Sequence, residues 1–506
     1  MKTEKPRRSR SPAVLPALRR LMAVVDLGSN SVRLVIYDCS STHPQPFFNE
    51  KVVAGLAHGI EQTGELSPEG VELAVAAMFR FARLCRSLEV EHVAVLATAA
   101  VREAANGPAF VELIERECGV EVEIVSGERE ALLSAKGVLA ADPRADGLVG
   151  DIGGGSLDLI ELKDGQPGRF VTLPLGTIRL PEHVGFDRKK ARSYAGGLIG
   201  QVDWLKGLEG RSFYPVGGAW RALGRTAMGQ SGYPLDIIDN YVIDRKRATE
   251  IARLVASQSA GSLKSLSSIP KRRAETVPFA ALVMDQLLSA AKPERVVFSA
   301  SSMREGSVYE YLGLLDAGIA RDPLLDSCRD LAAKAGRDVS GKDSLSDWMA
   351  PLFAEGDPAT PRLRTAAAFL SNVAWMDHPE YRAEAAYLKI LQTPFIGLRH
   401  FDRAYLALAI YSRYEGDPGG AAIACKMLDE PTQQSARVLG LALRLAHGIG
   451  AGQPAEAART ELAVDKDTVT FRMPTGDPLF SETAFSSRLK KLATAMNRAP
   501  KFEWMR

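Results

Sequence analysis

Little in this chain is extreme, and each shortage narrows what it can be. No run of about 18 apolar residues occurs, so nothing in it reads as a membrane-spanning helix. Cysteine is scarce: Cys39, Cys85, Cys118, Cys328 and Cys425 lie far apart, with no CxxC pair. An odd, scattered set builds no disulfide framework and points to a reducing, cytoplasmic setting. Net charge is nearly absent, with 63 Lys+Arg against 61 Asp+Glu. A molecule this close to neutral has no global field to gather nucleic acid or an anionic membrane, and neither is expected as a partner. Any anion must be bound by local placement. There is also no Gly-Lys-Ser/Thr of a Walker loop.

What is present is ordinary in bulk: 46% hydrophobic and 25% charged residues over 506 positions. That composition is globular, and the length is too great for one core. Residues 1–20, "MKTEKPRRSRSPAVLPALRR", are basic and contain prolines, without the apolar stretch and cleavage site of a signal peptide. They are expected to be a disordered tail. Strand and helix patterns alternate over 21–142 and again over 143–315, separated by the turn-forming "DPRADG". Residues 316–506 change to helices rich in alanine, leucine and arginine, closing in a β-containing cap around "ELAVDKDTVTFRMPTGDPLF".

The most informative feature is a repeat. "DLGSNSVRL" at Asp26 and "DIGGGSLDL" at Asp151 align with Asp26, Gly28, Ser31 and Leu34 upon Asp151, Gly153, Ser156 and Leu159, all at an offset of 125 residues. Each copy opens an α/β segment, so two similar domains are expected to offer one glycine turn each to a shared cleft. Glycine lets successive backbone N–H groups point inward as a nest for phosphate oxygens. Gly28, Ser29, Asn30 and Ser31 on one side, with Gly153, Gly154, Gly155 and Ser156 on the other, would clamp a phosphate chain. Aspartates at the mouth of such a clamp make sense as holders of Mg²⁺. Neither hairpin passes from strand to helix as a dinucleotide fingerprint requires.

These stretches resemble the exopolyphosphatase and guanosine pentaphosphate phosphohydrolase family. "ATAAVREAANG", "IVSGEREALLSAKGV", "LPLGTIRL", "YPVGGAWRALG" and "SMREGSVYEYL" are similar to further blocks of that family, in the same order. The resemblance implies an α/β fold: two actin-like (ribonuclease H-like) ATPase-superfamily domains, then a mostly α-helical domain similar to histidine–aspartate phosphohydrolases. It implies Mg²⁺-dependent removal of a terminal phosphate by water, with Mn²⁺ and a monovalent cation as further candidates, and a homodimer. By resemblance Glu130 is the catalytic base, with Glu128 as the fallback, and Arg102 meets phosphate. Asp26 and Asp151 are the metal-linked pair. Asp158 stands as a third metal-site carboxylate where the family has glutamate, one methylene shorter. Gly217 and Gly218 form the third loop, which in nucleotide-binding relatives approaches the adenosine. Trp220 behind it fits either a base-stacking platform or a core tryptophan.

From the residues alone, Glu130 fits a favourable charge in a helix's first turn equally well, and the motif decides. Arg179, Arg221, Arg225, Lys271, Arg272 and Arg273 are candidates for a cationic track, although each singly fits a solvated surface charge. The C-terminal region has only His378, His400 and His447, and Asp377-His378 is in the wrong order for a metal pair. A non-catalytic domain is expected there, with "FIGLRHFD" read as a helix-connecting loop in preference to an anion contact. The expected activity is that of an exopolyphosphatase acting on inorganic polyphosphate; the alternatives are a guanosine pentaphosphate 5′-phosphohydrolase of the stringent response and, second, an actin- or chaperone-like ATPase switched by nucleotide.

Overall fold

A computed structural model describes residues 19–315, 322–336, 340–416, 418–451 and 453–505. The basic tail expected over 1–20 lies outside them except for Arg19 and Arg20. Five strands form the first sheet: β1 (Leu21–Leu27), β2 (Val32–Asp38), β3 (Gln45–Val52), β4 (His92–Ala97) and β5 (Val122–Ile124). Their order is β3-β2-β1-β4-β5, with β1 antiparallel to β2 and parallel to β4. The second sheet contains β6 (Gly147–Ile152), β7 (Leu157–Lys163), β8 (Gln166–Leu173), β9 (Ser212–Val216), β10 (Tyr241–Asp244) and β11 (Arg295–Phe298). Its order, β10-β11-β9-β6-β7-β8, repeats the first topology and adds β10 at one edge. The sequence repeat is therefore a repeat of whole sheets.

Local signals explain the flanking helices. Pro68–Ser87 begins at Ser67, whose side chain accepts from the Gly70 amide, and has proline in its first turn. Gly107–Cys118 stops at Gly119, which takes φ +63°. Both helices pack on one face of the first sheet through Ala74, Phe81, Phe110 and Ile114. Helices Arg188–Gly200, Gly218–Ser231, Arg245–Ser257 and Val277–Ala291 cover the matching face of the second sheet.

The inner faces of the two sheets share one element. Helix Gly127–Ala141 sends Leu133 to the first sheet, where it packs with Val24, Val35 and Met303. Its Ala131, Ala135, Val138 and Leu139 pack on Val149, Ile160 and Val216 of the second sheet. Helix Met303–Tyr311 crosses it so closely that a Cβ on Gly306 would lie 1.9 Å from the Leu133 carbonyl oxygen, and one on Gly137 2.4 Å from that of Ser302. Only glycine allows that approach.

The C-terminal region is helical around His400–Tyr414 and Glu430–Gly450, whose Leu406, Ile410 and Leu439 are fully buried. It ends in a small sheet of β12 (Glu461–Val464), β13 (Thr468–Pro474) and β14 (Ala499–Met505). His400 in "FIGLRHFD" starts the helix and docks this domain on the second lobe. Its Nε2–H donates to the Asp239 carbonyl at 2.9 Å, and its Nδ1 lies 3.0 Å from the Tyr233 hydroxyl. Burial lowers its pKa to about 4, which keeps the ring neutral and Nδ1 free to accept. Among the described residues no three His, Cys, Asp or Glu side chains gather as a ready-made metal cage, and no helix is long and apolar enough to cross a membrane.

Candidate active site

The two glycine turns have the same hydrogen bonding. Gly28 N–H donates to the Ser31 carbonyl at 3.1 Å, and Gly153 N–H to that of Ser156 at 3.0 Å. In the first lobe, the amides of Gly55 and Ala57 tie down the carbonyls of Asn30 (3.1 Å) and Ser29 (2.9 Å). In the second, Thr177 and Ile178 do the same to Gly153 and Gly154, both at 2.9 Å. With the carbonyls held on the outside, the amides of Ser29, Asn30, Gly154 and Gly155 donate to no protein acceptor among the described residues. Unpaired N–H groups on successive residues of a turn have the makings of an anion nest. The two nests meet: a Cβ on Gly154 would lie 2.7 Å from Ser29 Cβ, and one on Gly155 3.0 Å from Ala99 Cβ.

Glu130 and Ser134 lie one turn apart on the shared helix. Ser134 Oγ–H donates to Asp151 Oδ2 at 2.6 Å. Arg102, on the short helix Ala99–Glu103 after β4, holds Glu130 Oε2 at 3.5 Å and the Val125 carbonyl at 2.8 Å. Burial raises the Glu130 pKa well above the usual carboxylate range, and the charges of Asp158 and Asp151 raise it further while Arg102 opposes them. Asp151 is raised as well, first by burial. Glu128, by contrast, is exposed. Across the crevice Asp26 Oδ2 accepts from Arg304 Nη1 at 2.7 Å, and the charge of Asp26 acts on both Glu130 and Asp151. The two aspartates of the repeat therefore share one crevice.

Asp158 sits at the foot of the second turn. Both its oxygens accept hydroxyl donors, Ser156 at 3.0 Å and Thr172 at 2.7 Å, and it is 1% exposed. It pairs across the hairpin with Asp151 and its charge acts on Glu130, so it lies on the crevice side of the sheet while its oxygens brace the second turn. Asp26 Oδ1 and Asp151 Oδ1 have no protein donor among the described residues. Such a pair suits Mg²⁺, which binds one or two carboxylates and takes its other ligands from water and phosphate. The mutually raised carboxylates also mark a place where positive charge is short.

The cationic side was only partly foreseen. Arg221 lies near Asp151 and Arg304, its Nε has no protein partner among the described residues, and burial lowers its pKa to about 10. Arg273 is not a solvated surface charge: a Cβ on Gly218 would lie 2.1 Å from its guanidinium. Arg33 and Lys51, on β2 and β3 of the first lobe, face it from the other side. Burial and then Arg273, Arg272 and Arg33 bring Lys51 down to about 8. Arg225 adds its charge beside Arg273. Arg179 is withdrawn from the expected track, because it bridges the lobes to Glu61 and Glu103, each at 2.6 Å. Trp220 is fully buried and its Nε1–H donates to the Ala280 carbonyl at 2.9 Å, so it is a core residue.

Residues 35–315 match the Ppx/GppA phosphatase family, and residues 324–502 match the exopolyphosphatase C-terminal domain. The chain belongs to the Ppx/GppA phosphatase family. The match begins at Val35, so the first turn is placed in the site by the repeat and by its geometry. Retrograde regulation protein 2 of Saccharomyces cerevisiae is 28% identical over 442 residues, covering 79% of this chain and 73% of that protein. Exopolyphosphatase 1 of Mycobacterium tuberculosis is 32% identical over 162 residues, 31% of this chain and about half (47%) of the relative. An exopolyphosphatase structure from Cytophaga hutchinsonii superposes with TM-score 0.52 at 22% identity, over 58% of this chain and 98% of that one. The Aquifex aeolicus family member gives 0.51 at 22%, over 58% and 97%. The two actin-like lobes expected from the sequence are thus the fold of this family.

Proposed function

We propose that the chain is an exopolyphosphatase that releases terminal orthophosphate from inorganic polyphosphate with Mg²⁺ as cofactor. The observation that carries this reading is the row of cations past the paired nests. Where an adenosine would need an apolar slot over Gly218, the Arg273 guanidinium lies instead, with Arg33 and Lys51 opposite. A chain of phosphates without a base fits such a row.

The amides of Ser29, Asn30, Gly154 and Gly155 would hold non-bridging oxygens of the last phosphates. Arg102 would take the terminal group, with Arg304 and Arg221 behind it. Glu130 would accept the proton of the attacking water at its carboxylate. A divalent ion bound by Asp26 and Asp151 would offset phosphate charge. Phosphoryl transfer needs mainly this positioning and neutralisation. Guanosine pentaphosphate is the second reading, since its terminal anhydride could enter the same nests. A homodimer and a cytoplasmic setting belong to the same proposal.

Phosphate release from long polyphosphate, guanosine pentaphosphate and ATP, each with and without Mg²⁺, tests it. Polyphosphate should be cleaved fastest and only with the metal, and a clear preference for ATP would overturn the reading. Glu130→Gln should lower release by about 10²–10⁴-fold while polyphosphate binding persists.

A further inference from the structure

A second cationic site lies on the second lobe, away from the crevice between the sheets. Helix Arg188–Gly200 and the C-terminal end of helix Arg245–Ser257 both pack on helix Val277–Ala291. Between them is a cavity of about 410 Å³. Arg188, Lys189, Arg192 and Arg253 line it, and Leu282 and Ala256 supply an apolar floor. None of its lining residues belongs to the nests or to the row of cations near Gly218.

This cluster is held in place, unlike a scatter of surface charges. Asp285, 1% exposed, accepts from Arg192 Nη1 at 2.6 Å through one oxygen and from Arg253 Nε at 2.9 Å through the other. One buried carboxylate thus anchors two guanidinium groups from different helices, each of which keeps further N–H donors. Arg188 is fixed separately, its Nη1 donating to the Ala256 carbonyl at 3.0 Å. Four cations line the cavity against the buried Asp285 and the helix-capping Asp187 beside Lys189, which leaves an excess of positive charge over an apolar floor. Planar guanidinium forks fixed at one end suit multidentate contact with phosphate oxygens, and the cavity lies in the size range of small-molecule sites.

We infer that this cavity binds a polyphosphorylated ligand outside the active site, its phosphates on Arg188, Lys189, Arg192 and Arg253 and any apolar part on Leu282 and Ala256. The phosphates could come from a free nucleotide or from an inorganic oligophosphate, and the two sources differ only in use of the floor.

Calorimetric titration of the full chain, in chelator-containing buffer to stop turnover, tests the inference with inorganic tripolyphosphate and with the β,γ-imido analogue of GTP. At least one probe should bind at two sites per chain. Arg188→Gln/Lys189→Gln keeps both contacts to Asp285, and it should weaken one site at least tenfold while leaving the other unchanged. Arg192→Gln/Arg253→Gln should weaken the same site, with thermal melting to check that the uncompensated Asp285 has not unfolded the lobe. Arg304→Gln should weaken only the other site, which separates this inference from the reading of the crevice. Tighter binding of the nucleotide analogue would assign the floor to the base, and equal binding would assign recognition to the phosphates alone. One site per chain for both probes, or two sites that the Arg188/Lys189 variant leaves untouched, would overturn the inference.

Discussion

As the proposed base, Glu130 has conflicting demands placed on it. A base must be ionised, yet burial and the neighbouring aspartates hold its proton on. The sign is fixed: lowering pH refills the carboxylate first, so turnover should fall on the acid side at a pH above the ordinary carboxylate range. A kcat–pH profile on saturating polyphosphate checks this, and a flat profile down to pH 5 would remove Glu130 as the titrating base. Asp158 gives a stability counterpart. Its pKa is raised to about 6, first by burial. Between its unfolded value and about 6 the folded form holds more protons, so stability declines as pH rises through that window. Asp158→Asn should therefore raise the melting temperature at pH 8 but not at pH 4, by about 1–3 kcal/mol in unfolding free energy, while it loosens the second turn and lowers activity. Which residues the sequence disclosed follows the same physics. Asp26, Asp151 and the glycines were legible because they recur at a constant offset. Arg304 was not: its partner Asp26 is 278 positions away, and an arginine within "SMREGSVYEYL" carries no local sign of which carboxylate it meets. The hydroxyl partners of Asp158, Ser156 and Thr172, were not legible either, because sequence gives a carboxylate's identity but not which donors it will meet.

At the level of elements, each hairpin works because a later segment fixes its carbonyls. The touching turns make a sharp prediction. Gly154→Ala puts a Cβ 2.7 Å from Ser29 Cβ and should cut phosphate release at least tenfold, whereas Ser29→Gly alone should cost little. In the double variant Ser29→Gly/Gly154→Ala the clash is gone, and activity should recover in part. Additive losses would mean that the turns do not meet in solution. Strand and helix types were readable in the first lobe from capping and periodicity, as at Ser67 and Gly119. The shared helix was less so. Its apolar residues surround the axis, which signals burial on two sides, but nothing local says that the second side belongs to another sheet. Strand β14 was also missed, because "APKFEWM" becomes a strand only by pairing with β13.

Across the whole molecule, the lobes are joined by a small charged latch beside the nests. Arg179 reaches Glu61 and Glu103, and His183 Nδ1 lies 3.6 Å from the same Glu61. These groups are partly exposed, so the latch contributes about 1 kcal/mol or less per pair and weakens with salt. Arg179→Ala should widen the resting molecule in small-angle scattering at low salt and lower activity several-fold, with both differences shrinking at high salt. Unchanged scattering would mean that the shared helix alone sets the lobe angle.

That helix has one more effect. Because Gly127–Ala141 is packed on both sheets, no hinge motion can leave it equally seated on each. Any parting of the lobes must slide one of its faces and carry Glu130 out of aim with Arg102 or Asp151. With Glu130 as the proposed base, water in a gaping cleft would find its proton acceptor misdirected, so the aim of the carboxylate and the shutting of the jaws would be one event.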